Sequence, residues 1–152
     1  FSNAQNYQAH YEKTAAEIWE QTEGRIDYFV SALGTSGTIM GISRFLKAHN
    51  PNIRVVSAHP VRGHYIQGLK NMEEAIVPAI YDPSRIDLQV MVESEEAIAM
   101  ARQIIAREGI FAAMIAALHI AERIDHGNIV VIFPDRADKY LSTTMFADLA
   151  ED

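Results

Sequence analysis

Tyr28-Phe29-Val30-Ser31-Ala32-Leu33, then Gly34-Thr35-Ser36-Gly37-Thr38, then the periodic stretch Ile39 to His49 decide the fold. An apolar run that ends in a glycine-rich turn and feeds an amphipathic stretch reads as strand, tight turn, helix. Such a turn leaves backbone N–H groups pointing outward at the positive end of the helix dipole. Phosphate is the usual guest of that arrangement. Gly34 and Gly37 lack a Cβ, so the backbone there can take positive φ and approach a ligand closely. Thr35, Ser36 and Thr38 add hydroxyl donors. The same turn also occurs with no ligand, so the rest of the chain has to decide.

Upstream, Ser2-Asn3-Ala4-Gln5-Asn6 is a polar turn, and a helix is expected from about Tyr7 to Thr22, burying Ala9, Ala16, Ile18 and Trp19. Gly24 stands at its C-cap. Downstream the pattern alternates. Asn50-Pro51-Asn52 is a turn, Ile53–Ala58 a strand, and about His59 to Ala75 a loop with a short helix. Leu88–Val92 is a strand, and Glu95–Arg107 a helix with Ser94 as N-cap and acidic residues in its first turn. Gly109 stops that helix. Ala113–Ile124 is helical, Ile129–Phe133 is an apolar run expected as a central strand covered on both faces, and a last helix runs from about Lys139 to Leu149. Strands separated by helices of about 10–15 residues mean βαβ units: an α/β, three-layer, doubly wound and mainly parallel sheet with helices on both faces. Ligands in such sheets bind at the carboxyl ends of strands. The glycine turn and Pro134-Asp135-Arg136 both lie at such ends.

Composition narrows the function. A chain of 152 residues, 49% hydrophobic and 22% charged, has the balance of one globular domain with a real core. A net charge of -7 with no basic cluster argues against non-specific nucleic-acid binding. There is no cysteine, hence no disulfide, thiolate metal site or cysteine nucleophile, which fits a reducing compartment such as the cytoplasm. No apolar run approaches membrane-spanning length and no signal peptide is visible. Phe1 is not a natural start residue, so the sequence is expected to begin inside a longer chain. His10, His49, His59, His64, His119 and His126 include no His-x-x-x-His pair, so solvated or capping roles are expected and no metal site. Glu93, Glu95 and Glu96 read as a solvated helix start, and the six methionines as packing residues.

Four collinear stretches resemble one family. Phe29 to Gly41 is similar to the cofactor-phosphate loop of cysteine synthases, pyridoxal-phosphate (PLP) enzymes of fold type II. Tyr11-Glu12-Lys13-Thr14 with Glu17-Ile18-Trp19-Glu20-Gln21-Thr22 resembles the family's segment before that loop. Arg107-Glu108-Gly109-Ile110-Phe111-Ala112 resembles its entry to the cofactor-facing helix, and Pro134 to Thr143 its C-terminal signature. Asp-Arg at 135–136, where many members have a serine, is closest to the B-type (CysM-like) branch. The resemblance runs through almost the whole of residues 1–152 and corresponds to the C-terminal, PLP-binding half of such enzymes.

The resemblance implies a β-replacement: an activated serine (O-acetylserine or O-phosphoserine) loses its leaving group, and sulfide or another sulfur donor adds to give L-cysteine. Gly34, Thr35, Ser36, Gly37 and Thr38 would hold the PLP phosphate, and Asp135 and Arg136 would sit near the pyridine nitrogen. His64, Gln67, Gly68 and Lys70 would belong to the loop that closes over substrate, with Lys70 either a ligand for a substrate phosphate or a solvated surface charge. The lysine that carries the cofactor as a Schiff base is expected in an N-terminal half outside this sequence, because Lys13, Lys47, Lys70 and Lys139 match no such motif. The chain alone is therefore expected to be inactive. A homodimer is implied, and a serine acetyltransferase is an occasional partner. The sequence departs from the family at three places. A Gly-x-Ser-Ser/Thr-Gly turn is missing after Ala112, Arg136 cannot accept a proton from a pyridinium, and Thr14-Ala15-Ala16-Glu17 replaces the usual Gly-Pro. A cystathionine β-synthase-like enzyme and a non-catalytic phosphate-binding domain are the competing readings.

Overall fold

The computed structural model describes residues 4–63, 69–74, 76–95, 99 and 113–133. The chain opens with α1 (Ala4–Ala9), a π-helical turn (His10–Thr14) and α2 (Ala15–Gln21). β1 (Tyr28–Ala32) leads through the glycine turn into α3 (Gly37–His49), and β2 (Arg54–Pro60) follows. A 3-10 turn (Pro83–Arg85), β3 (Leu88–Val92), α4 (Ala113–Ala121) and β4 (Ile129–Val131) follow. The strands form one parallel sheet in the order β3-β2-β1-β4.

Alternation along the strands sends successive side chains to opposite faces. Phe29 and Val55 join Leu33, Ile39, Met40, Ile42 and Leu46 under α3, with Ala15 and Ile18 of α2 beside them. Val30, Val56, Ala58, Val90 and Val92 pack instead on Ile115, Ala116, Ala117 and Ile120 of α4. Helices on both faces of a parallel sheet give the expected three layers. β3 has the predicted bounds and α3 falls within a residue or two of them, because each is a short run between strong turn signals. Asn50 Oδ1, for example, accepts from the Asn52 N–H at 3.0 Å and closes the turn after α3.

Three expectations need correction. The N-terminal helix is interrupted: in the π turn the Ala15 N–H bonds back to the His10 carbonyl. The extra residue shifts the buried phase, so Ala15 is buried in place of Ala16, while Ala9 is exposed and Trp19 half-buried. Second, β4 is not central among the described residues. It ends the sheet beside β1 with half-buried residues, and β1 and β2 are the central pair. Third, β2 runs on through His59 and Pro60, where a loop was expected, and the short helix expected between there and Ala75 falls partly outside the described residues. Gly24 stops α2 as expected, at φ 69 with its N–H on the Trp19 carbonyl. Of the helix expected over 95–107, only Glu95 and Ala99 are described, and both are helical. The helix expected over 139–149 lies outside the described residues.

Candidate functional site: an anion cradle at the end of β1

β1 ends at Ala32, and Leu33 ties the turn to its neighbours by donating to the Ala58 carbonyl and accepting from the Lys70 N–H at 2.7 Å. Gly34, Thr35 and Ser36 then lead into α3, whose first turn carries the free N–H groups of a 13-residue helix. The left-handed residue here is Ser36, at φ 68, and neither glycine of the turn has positive φ. The conformational freedom of Gly34 and Gly37 is thus not used as positive φ. A Cβ on Gly37 would lie 2.3 Å from Asn6 Oδ1, so a side chain there would push the Asn6 amide away from Thr35. A serine held at left-handed φ costs about 1 kcal/mol or more, and strain of this kind concentrates at ligand clamps.

The Ser36 hydroxyl is buried and has no hydrogen-bond partner among the described residues. An orphaned buried hydroxyl costs about 1–3 kcal/mol. Together with the outward N–H groups, it suits an anion that would accept from it, so the residues present fit a phosphate group. Asn6 Nδ2 donates to Thr35 Oγ1 at 3.4 Å, and the His10 ring bridges Thr14 and Thr38.

A second polar group lies at the same end of the sheet. Ser57 and His59 project from β2 and are buried, with Ser57 Oγ 2.7 Å from His59 Nε2. Burial pushes the His59 pKa below its ordinary value, with Glu73 pulling the other way, so the ring is neutral near pH 7. Asn71 donates to the Pro60 carbonyl and accepts from the Glu73 N–H, which fastens the 69–74 segment over this end.

The structure therefore brings together Gly34, Thr35, Ser36, Gly37 and Thr38, with the Lys70 backbone beside them. His64, Gln67, Gly68, Asp135 and Arg136, and the departure after Ala112, lie outside the described residues. Sequence reasoning missed His10 and His59, treated as solvated or capping. His10 sits 28 positions from the threonine it touches, and only the seating of α1 on α3 reveals the pairing. No group of three or more potential metal ligands occurs among the described residues, and no helix there is long and apolar enough to cross a membrane.

A parallel α/β sheet with a strained serine in the glycine turn after its first strand defines an α/β class whose strand-to-helix turn has the form of an anion site. Within that class, the "Pyridoxal-phosphate dependent enzyme" family profile matches residues 1–135, and the chain belongs to this family. A cysteine synthase of Aquifex aeolicus is 42% identical over 159 residues, covering 97% of this chain and 49% of the relative. Cysteine synthase B of Pseudomonas aeruginosa is 40% identical over 152 residues, covering 96% and 51%. The crystal structure of an O-ureido-L-serine synthase superposes with TM-score 0.88 at 36% identity, over 100% of this chain and 53% of that one. The chain spans about half the length of the curated relatives it matches.

Proposed function

We propose that this chain supplies the phosphate-gripping part of a PLP-dependent β-replacement enzyme of the cysteine synthase type, forming L-cysteine from an activated serine and a sulfur donor. The observation that carries the reading is the cradle: Ser36 strained at left-handed φ, its buried hydroxyl without a partner, at the mouth of α3. When bound, the cofactor supplies the electron sink, and the protein supplies grip and orientation. Gly34 to Thr38 fix the phosphate by N–H and hydroxyl donors. On the family resemblance, Asp135 and Arg136 are assigned to the pyridine nitrogen, and His64, Gln67, Gly68 and Lys70 to the substrate loop. Lys70, its backbone beside Leu33, gives a cation for the phosphate of O-phosphoserine. The B-type branch, a homodimer, a serine acetyltransferase partner and a cytoplasmic location belong to the same proposal.

The lysine that carries the cofactor covalently is placed outside these 152 residues. The chain alone then binds PLP reversibly and makes no cysteine. Titrating the chain with PLP, followed by borohydride reduction and peptide mass spectrometry, tests this. The expected result is saturable binding with no stoichiometric label on any one lysine; a single labelled lysine would sink it. In the enzyme assay with sulfide, Lys70→Ala should lose turnover on O-phosphoserine and retain it on O-acetylserine, and equal loss on both removes the phosphate role. The O-ureido-L-serine synthase likeness favours one second reading, in which the same cradle serves a nucleophile other than sulfide. Cysteine formation from sulfide at a rate above that with hydroxyurea or homocysteine decides between them.

A further inference from the structure

α1 and the π turn touch the cradle from outside, and they do so at its two threonine hydroxyls. His10 Nε2 lies 3.3 Å from Thr38 Oγ1, and His10 Nδ1 lies 3.1 Å from Thr14 Oγ1. Asn6 Nδ2 meets Thr35 Oγ1 at 3.4 Å. The seating has no slack. A Cβ on Gly41 would lie 2.3 Å from the Tyr7 carbonyl oxygen and 2.8 Å from His10 Cβ.

A hydroxyl has one proton and two lone pairs, and a neutral imidazole has one N–H and one bare nitrogen. Two arrangements of the Thr14–His10–Thr38 chain are therefore open. With the proton on Nδ1, Thr38 must donate to Nε2, and its lone pairs alone remain for a ligand; those repel an anion. With the proton on Nε2, Thr38 accepts from His10 and keeps its own proton for a phosphate oxygen, while the bare Nδ1 accepts from Thr14. We propose that His10 is a positioning residue: a phosphate bound in the cradle selects its Nε2–H tautomer, and the relay runs Thr14 to His10 to Thr38 to phosphate. The amide of Asn6 has only donors at Nδ2, so it holds Thr35 in the same sense with no tautomer to select. This relay deepens the cradle reading and rests on it.

The test is a titration of the ¹⁵N-labelled full chain with inorganic phosphate and, separately, with PLP. Backbone amide shifts at Gly34 to Thr38 report cradle binding, and long-range ¹H–¹⁵N spectra of the imidazoles report the His10 tautomer. The expected result is loop binding with the Nε2–H pattern at saturation. His10→Ala and Thr38→Val should each weaken affinity about tenfold, one hydrogen bond to a charged acceptor. The double variant should be no worse than either single, and His10→Gln, which keeps a donor, should recover most of the loss. Loop shifts with an Nδ1–H pattern, or losses that multiply in the double variant, overturn the relay and leave the cradle standing. No amide shifts at Gly34 to Thr38 overturn both. Should His10→Ala fail to fold, the wild-type tautomer and His10→Gln still decide.

Discussion

The two ends of α3 are held by different chemistry. At its C-terminal end Phe45 stacks on His49 with centroids 4.1 Å apart, Trp19 and Tyr11 meet Phe45 edge-on, and Leu46 is buried beneath. Lys47 pairs with Asp87 at 2.6 Å, and Asp87 also accepts from the Val55 N–H. Ring contacts, an ion pair and a buried leucine hold this end to its neighbours. At the N-terminal end the contacts are polar, a methyl added at Gly37 or Gly41 would fall below van der Waals distance, Ser36 is strained and its hydroxyl has no partner among the described residues. One end anchors the helix to the sheet. The other carries the strained turn and the buried Ser36 hydroxyl, which has no partner among the described residues.

Removing core at the anchored end should have the largest effect. Leu46→Ala should destabilise the chain by about 2–5 kcal/mol in urea unfolding, while phosphate affinity of the folded fraction stays unchanged. A parallel fall in affinity would show that the two ends are coupled. Gly41→Ala sharpens the contrast, because two effects oppose. Helix propensity favours alanine by about 1 kcal/mol. The new methyl, however, collides with the Tyr7 backbone, which cannot rotate away. We expect net destabilisation of about 1–3 kcal/mol together with weakened phosphate binding, since α1 must lift off the cradle.

Asp87→Asn should cost about 1–3 kcal/mol at neutral pH, with its sign set by linkage. Burial alone would raise the Asp87 pKa, but the hydrogen bonds from Lys47 and Val55, with the charges of Lys47 and Arg54, hold it below the usual range. Its contribution is thus present above the ordinary aspartate pKa and lost as pH falls through the lower folded value. The variant should show a flatter stability profile in that acid window, and an unchanged profile would mean the pair is idle. The smallest effect is expected at Ser36→Gly. Relief of left-handed strain should stabilise by up to about 1 kcal/mol while phosphate affinity drops, and a gain in both would deny the serine its role.

The layered fold was legible because strand and helix periods, turn residues and caps agree along the chain. Leu88–Val92 falls where its pattern puts it, and the glycine turn announces the cradle. What stayed hidden depends on contacts distant in sequence. Ser36 takes the left-handed position with a glycine on either side of it in the turn, and Gly37 lies instead against the Asn6 side chain. The apolar run of β4 reads as central, yet its neighbours place it at the end of the described sheet. His59 gave no pattern at all, since a single buried histidine needs only Ser57 two residues before it.

The π turn at His10–Thr14 carries one residue more than an α-helix needs there. One helical residue corresponds to about 100° of rotation. Asn6 and Tyr7 are thereby set in angle relative to α2, and the alignment depends on residue count before it depends on side-chain identity. Variation in this stretch should therefore follow a reading-frame logic. Exchanges that keep the length are absorbed locally, whereas loss of a single residue would close the bulge, spin α1 by that angle and turn its cradle-facing side away from α3.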